Sequence, residues 1–407
     1  MKKMTLLRAY QDVGLDISFI YDQDNILDAK KKQAQNEWLD NTPIEDIAQI
    51  IDDKIIEIRA KFVDNDSSIV QQAGVGLIEL INKFKDTPEV GIPLYGDKIN
   101  AITRGARLKK VYMFSAESGT GKTRHMAADA CWFACNEIYN TKTDQWEANG
   151  QKEPTLFITT EQEIEEIQTL FLSFVSGVDE EKILNGLYGA GELERVERAA
   201  KIIEDSPIYI EPMSDFSLSD VENAIKHAIH AYGVRYVCHD YIHTSLKILS
   251  EISGKSGIKG IREDNVLFML GVKLKDIANK YGIFIETATQ LSGDFGDAEV
   301  LNQSYLRGAK SLADKIDIGA IMIRIRPKDR EILQPICDKL GVDMPDIKMS
   351  IYKNRRSRYK DILLWCQTDL GTCRINPIFA TNFSYELIDI QDIKINVEPA
   401  DEEVQNV

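Results

Sequence analysis

The eight residues Ala116-Glu-Ser-Gly-Thr-Gly-Lys-Thr123 constrain this chain more than any other stretch. The apolar run 111–115 before them reads as a short strand, and residues 122–139 after them read as a buried helix. A glycine-rich loop set between strand and helix can turn its backbone N–H groups inward around phosphate oxygens. Gly119 and Gly121 permit that turn. Lys122 adds a cation for the β- and γ-phosphates, and Thr123 offers a hydroxyl to Mg²⁺. Ala116, Glu117, Ser118, Thr120 and Arg124 complete the expected nucleotide cradle.

A chain of 407 residues can bury a sizeable core and carry one large domain with smaller flanking elements. No apolar run approaches the roughly 18 residues that a membrane span requires. The N-terminus lacks the long apolar stretch of a secretory signal. The six cysteines are scattered without a CxxC pair, which suits a reducing cytoplasm. Cys131 and Cys135 lie one helical turn apart and read as small core residues. A net charge of −16 argues against non-specific nucleic-acid affinity, so any DNA contact must come from a local site. Acid gathers at the end of the chain, from Glu386 to Glu403, in what reads as a solvated tail.

Three regions follow from the pattern. Residues 1–90 form a short helical region, 91–380 the main domain, and 381–407 the acidic tail. Within the first, Thr42 can cap, Pro43 suits the first helical position, and apolar residues from Ile44 to Phe62 fall on one stripe. That predicts a helix over about 42–62. From Gly91 onward, strands at 111–115, 155–159, 207–211, 234–239 and 283–289 alternate with helical stretches. Further strand-like runs follow at 317–325, 347–353, 361–367 and 372–375. Alternation of this kind predicts an α/β fold with a mostly parallel sheet, and the late run of strands predicts an antiparallel extension.

A phosphate loop needs partners at neighbouring strand ends. Asp240 closes an apolar strand and is placed to support Mg²⁺. His239, just before it, faces the other way and reads as packed. Glu161 follows the strand 155–159, where an attacking water needs a base. Thr160 and Glu163 have capping-box spacing, so Glu163 is assigned to the helix start and Glu161 to the water. Gln290 stands just past another strand, where its amide can report a γ-phosphate to the loop 291–304. Lys353 and Arg355 open the densest basic patch, and arginine's planar fork can stabilise spreading phosphoryl charge.

These residues resemble the C-terminal ATPase domain of DnaB-type replicative helicases, a hexameric branch of the RecA-like family. The resemblance runs over about residues 90–378 and rests on ordered segments: AESGTGKT, ITTEQ, VCHDYIH, ATQLS, YLRGAKSLADKID and YKNRR. It implies a RecA-like αβα sandwich that uses ATP and Mg²⁺ to move along single-stranded DNA as a six-membered ring. Glu161 would be the catalytic glutamate, Asp240 the metal-site aspartate and Gln290 the sensor. Lys353 and Arg355 would act on the adjacent subunit. The strand would be gripped near Arg307, Gly308 and Lys310, and the helix at 42–62 would dock on the next subunit. A primase or a helicase loader would be the protein partner, and a bacteriophage or prophage the source. A filament-forming recombination ATPase and an ATP-assembled scaffold remain the rival readings.

Overall fold

Apolar runs long enough to be buried on both sides, spaced by amphipathic helices, leave the chain one economical arrangement: a sheet covered on both faces. A computed structural model describes residues 8–14, 18, 21–22, 26–44, 46–47, 50, 52, 54, 73–86, 89–256, 263–291, 302–306 and 310–390. The expected helix at 42–62 and the loop 291–304 fall largely outside these residues, as does most of the acidic tail. Contacts divide the chain between Pro88 and Glu89.

In the first unit the helix Ala29–Asn41 starts where the Asp28 carboxylate accepts from the Lys30 amide. The described residues 44, 46–47, 50, 52 and 54 are helical, and the Ile47 amide donates to the Pro43 carbonyl, whereas Thr42 ends the helix before them. Its hydroxyl donates to the Trp38 carbonyl. A second helix, Leu77–Asp86, leaves its apolar residues in solvent, with Ile78 68% and Ile81 61% exposed.

The second unit contains twelve strands among the described residues: β1 (Val111–Ala116), β2 (Glu137–Asn140), β3 (Gln145–Ala148), β4 (Thr155–Thr159), β5 (Ile208–Pro212) and β6 (Tyr236–Asp240), then β7 (Phe284–Thr287), β8 (Ile318–Arg324), β9 (Ile347–Asn354), β10 (Ile362–Asp369), β11 (Arg374–Asn382) and β12 (Leu387–Ile388). Ten of them form one sheet in the order β12-β11-β10-β9-β8-β1-β7-β6-β4-β5. From β8 through β1 to β5 every pairing is parallel, and from β8 outward to β12 every pairing is antiparallel. The phosphate-loop strand β1 therefore sits in the interior of the sheet, buried along its whole length.

Helices Lys122–Ala134 and Ile164–Ser176 cover one face, where Phe114, Phe133, Phe157 and Phe171 lose all but 1% or less of their exposure. Helices Leu218–Tyr232 and Glu263–Tyr281 cover the other, over Ile158, Val237 and Ile285. Each such side chain contributes about 2 kcal/mol by leaving water. A smaller cluster around Trp365 and Leu333 fills the space beside the antiparallel strands. The RecA-like αβα architecture is thus present.

The first covering helix ends sooner than its apolar run suggests. It stops at Ala134, Cys135 turns extended, and residues 137–140 pair with β3 as a hairpin. Tyr139 packs edge-on against Trp146 at 5.4 Å, a cross-strand aromatic pair that favours strand over helix. Cys131 and Cys135 are both buried free thiols.

Candidate nucleotide site

The strand ends decide the site. β1, β4, β6 and β7 run parallel, so the residues leaving their C-terminal ends meet along one edge. The phosphate loop leaves β1. Gly119 and Gly121 both take positive φ, 75° and 99°, which glycine adopts without strain. A Cβ at Gly121 would also meet Leu370 Cδ2 at 2.7 Å, so a larger residue would have to push that side chain aside. Residues 117–119 are exposed and Thr120 is buried with an unpartnered hydroxyl.

Asp240 ends β6 directly beside this loop. Thr160 reaches across from the end of β4, giving both its amide (3.0 Å) and its hydroxyl (2.9 Å) to the Asp240 carbonyl. That pair of bonds ties the end of β4, just before Glu161, to the end of β6, and Glu161 is near enough for its charge to act on Lys122. Glu163 begins the helix Ile164–Ser176, its amide donating to Glu166 at 3.0 Å. The capping pair is thus Glu163 with Glu166, and Thr160 serves the strand ends instead. His239 is buried against the opposite face, 3.2 Å from the Thr287 hydroxyl, and burial pushes its imidazole down to about 3.

Burial lowers the Lys122 ammonium, while Asp240 and Glu161 pull it back up. Burial raises the Asp240 carboxyl, opposed by Lys122 and by a hydrogen bond from Thr123. For each group the loss of water outweighs the attraction of the opposite charge. Asp240 Oδ1 is buried and has no hydrogen-bond partner. A hard divalent cation seeks oxygens of this kind, so Thr123 and Asp240 fit a role in holding Mg²⁺.

Tyr241 joins these groups, and the sequence reading missed it. Its hydroxyl donates to Glu161 Oε1 at 2.7 Å and accepts from Gln290 Nε2 at 2.6 Å. Its ring lies under Lys122 Nζ, 3.2 Å from centroid to nitrogen. Gln290 itself bridges to Ala116 at the root of the phosphate loop. A cavity of about 150 Å³ opens beside it, lined by Tyr241, His243, Leu267 and Thr289 among others. A larger cavity of about 200 Å³, lined by Trp132, Tyr139 and Arg374, lies elsewhere and includes none of the predicted site residues. Arg324, at the end of β8, donates to the Gly119 carbonyl at 3.4 Å and is a second cation the sequence did not single out.

Three sets of predicted residues stand apart. Arg124 is engaged by the Leu370 carbonyl and by Glu180 rather than by the loop. Lys353 and Arg355 do not approach the phosphate loop of their own chain. β9 runs antiparallel to β8, so Arg355 ends up level with Val111, donating its amide to the Asp317 carbonyl at 3.1 Å. Val111 is five residues from Ala116, about 16 Å along the strand. Lys353 donates to the Ala313 carbonyl and Arg355 to that of Asp314. Arg307 and Gly308 fall outside the described residues. Lys310 opens the helix Lys310–Lys315.

A phosphate loop on an interior parallel strand, with a carboxylate on the strand two places away, defines a P-loop ATPase of the RecA-like class. Within that class, the model of the DnaB-like helicase C terminal domain matches residues 91–371, and the chain belongs to that family of ATP-hydrolysing DNA helicases. It is 36% identical over 399 residues to the SPbeta prophage-derived uncharacterized protein YorI of Bacillus subtilis (strain 168), covering 97% of this chain and 79% of YorI. The replicative DNA helicase DnaB of Mycoplasma pneumoniae is 21% identical over 288 residues, which span 70% of this chain and 57% of that protein. Among solved structures, a DnaB-like replicative helicase described with its interactions with primase superimposes with a TM-score of 0.59 at 14% identity, covering 93% of this chain and 76% of that one. A second solved structure, an isolated ATPase domain, gives 0.55 at 14% identity, over 75% of this chain and 100% of that domain. Among the described residues, no helix is long and apolar enough to cross a membrane.

Proposed function

We propose that this chain works as a ring-shaped motor in which ATP is cleaved at the seam between two copies. Lys122 and the loop amides bind the phosphates, and Thr123 with Asp240 holds Mg²⁺. When bound, Mg²⁺ supplies positive charge to the phosphate oxygens. Glu161 takes the proton from the attacking water, and Gln290 contacts the γ-phosphate. Tyr241 orients both, since one hydroxyl bonds the two side chains. Lys353 and Arg355 serve the neighbouring copy, because their own loop is out of reach. The moving substrate is single-stranded DNA, gripped near Arg307, Gly308 and Lys310, where backbone amides and a few cations suffice without base readout. A primase or loader is the expected protein partner, in a host cytoplasm.

The observation that carries this reading is the convergence of Lys122, Asp240, Glu161, Tyr241 and Gln290 at adjacent strand ends. The exposed apolar stripe of the helix Leu77–Asp86 supports assembly, as a surface for the next subunit. Glu161→Ala is expected to abolish ATP turnover while sparing ATP binding; retained hydrolysis contradicts the assignment. Arg355→Ala subunits mixed with Glu161→Ala subunits should regain turnover at those seams that pair an intact cradle with an intact arginine. Mixtures that stay inactive at every ratio would remove Arg355 from the shared site.

A further inference from the structure

Beneath the phosphate loop lies a polar cluster that the ATPase reading does not use. The helix Lys122–Ala134 places His125 and Asp129 one turn apart on the same face, and β7 brings Glu286 against them. His125 is 3% exposed, and Asp129 and Glu286 are wholly buried. His125 Nε2 stands 3.8 Å from Asp129 Oδ2 and 3.8 Å from Glu286 Oε1. All three donor atoms lie within 4.8 Å of one another. Neither ring nitrogen of His125 has a hydrogen-bond partner, and those two carboxylate oxygens accept from no N–H or O–H donor, facing only each other, where a shared proton would link Asp129 to Glu286. The remaining oxygens are occupied: Asp129 Oδ1 accepts from the Tyr95 amide at 2.7 Å, and the Cys238 thiol lies 3.9 Å from Glu286 Oε2. Phe114 packs edge-on against the imidazole at 4.7 Å and limits its tilt. Buried polar atoms are ordinarily paired, and buried charges are paired or coordinated.

We propose that His125, Asp129 and Glu286 bind one divalent transition-metal ion, at a site separate from the nucleotide's Mg²⁺. Three donors spread at about 120° around an ion, with bonds of about 2.1–2.2 Å, stand roughly 3.6–3.8 Å apart. The two separations from His125 Nε2, 3.8 Å each, match that span, and the third lies within 4.8 Å. One imidazole nitrogen with two carboxylate oxygens suits Zn²⁺, Mn²⁺ or Fe²⁺, and two anions balance the ion's charge. The ion would brace the helix that begins at Lys122 against the strand that leads to Gln290. The two ends of the nucleotide site would then be tied through one bond network.

The test uses the full chain, purified without chelator or nucleotide, and elemental analysis. About one equivalent of Zn, Mn or Fe per chain is expected. After chelation, adding Zn²⁺ to about 100-fold above its Kd should raise the melting temperature by about 5 °C. Asp129→Asn keeps the shape and removes an anionic ligand; it should lose both the bound metal and the Zn²⁺ response while still binding a fluorescent ATP analogue. Glu286→Gln is the second variant, should the first fail to fold. A wild-type chain that is metal-free and unmoved by Zn²⁺ overturns the proposal and leaves the carboxyls sharing a proton. An equal Zn²⁺ response in wild type and both variants overturns it as well.

Discussion

Replacing Tyr241 with phenylalanine isolates one oxygen atom at the centre of the site. The ring under Lys122 stays, while the 2.7 Å bond to Glu161 and the 2.6 Å bond to Gln290 disappear. A hydrogen bond to a charged group contributes about 1.5–3 kcal/mol and a neutral one about 0.5–1.5. Glu161 is exposed, so water replaces part of the lost interaction. An effective loss of about 1–2 kcal/mol in orientation is left, or roughly a 5- to 30-fold fall in kcat. Steady-state ATP hydrolysis by the assembled protein with single-stranded DNA measures kcat, and a fluorescent nucleotide measures binding. Binding should stay within about twofold, since the phosphate cradle and the ring are intact. Tyr241→Ala should weaken nucleotide handling further, because a desolvated cation–π contact of about 1–2 kcal/mol goes with the ring. Turnover of Tyr241→Phe within twofold of wild type would show that the hydroxyl positions nothing, and a parallel loss of binding would show that it acts on the ground state.

Two further outcomes can be checked independently. Glu222 is partly buried, which raises its carboxyl, but hydrogen bonds from Lys273 and Lys280 outweigh this and hold it at about 2. Its folded value lies below its unfolded one, so its contribution is present above about pH 4.5 and lost as pH falls toward 2. Glu222→Gln should therefore cost about 1–2 kcal/mol at pH 7, after allowance for solvent screening, and nothing near pH 2. Thermal melts across that window decide it, and a pH-independent difference would rule the ion cluster out. Replacing Ile78 and Ile81 together with aspartate should shift the assembly toward smaller species in sedimentation while leaving the melting temperature of the ATPase unit unchanged. A hexamer that survives the double change removes the helix Leu77–Asp86 from the subunit contact.

The sheet and the strand ends that carry the candidate site were legible because their physics is local. Strands such as 155–159 are continuous apolar runs, and the loop after β1 carries its glycines at fixed spacing. Asp240, Glu161 and Gln290 each follow such a run directly. Tyr241 was not legible, since an aromatic after Asp240 looks like one more core residue until β4 and β7 bring Glu161 and Gln290 to its hydroxyl. The hairpin β2–β3 was hidden for a similar reason: Ile138 and Tyr139 extend the apolar pattern of the helix before them, and only pairing with Trp146 reveals a strand. The cluster of His125, Asp129 and Glu286 combines an i, i+4 pair with a residue more than 150 positions away, which no window along the chain spans. Lys353 and Arg355 stood out by charge and by the YKNRR resemblance; their separation from the loop needed the antiparallel register of β9 on β8.

That register has an arithmetic consequence for how copies add up. Arg355 lies by Asp317 at one end of β1 and the phosphate loop at the other, so if the cations serve the next copy as proposed above, an open row of n copies would have n − 1 working junctions and two idle halves at its tips. Closing the row joins the idle halves, so circularisation itself creates one more engine. A gap in the circle, such as one through which a DNA strand could pass, would silence one junction for as long as it stayed open.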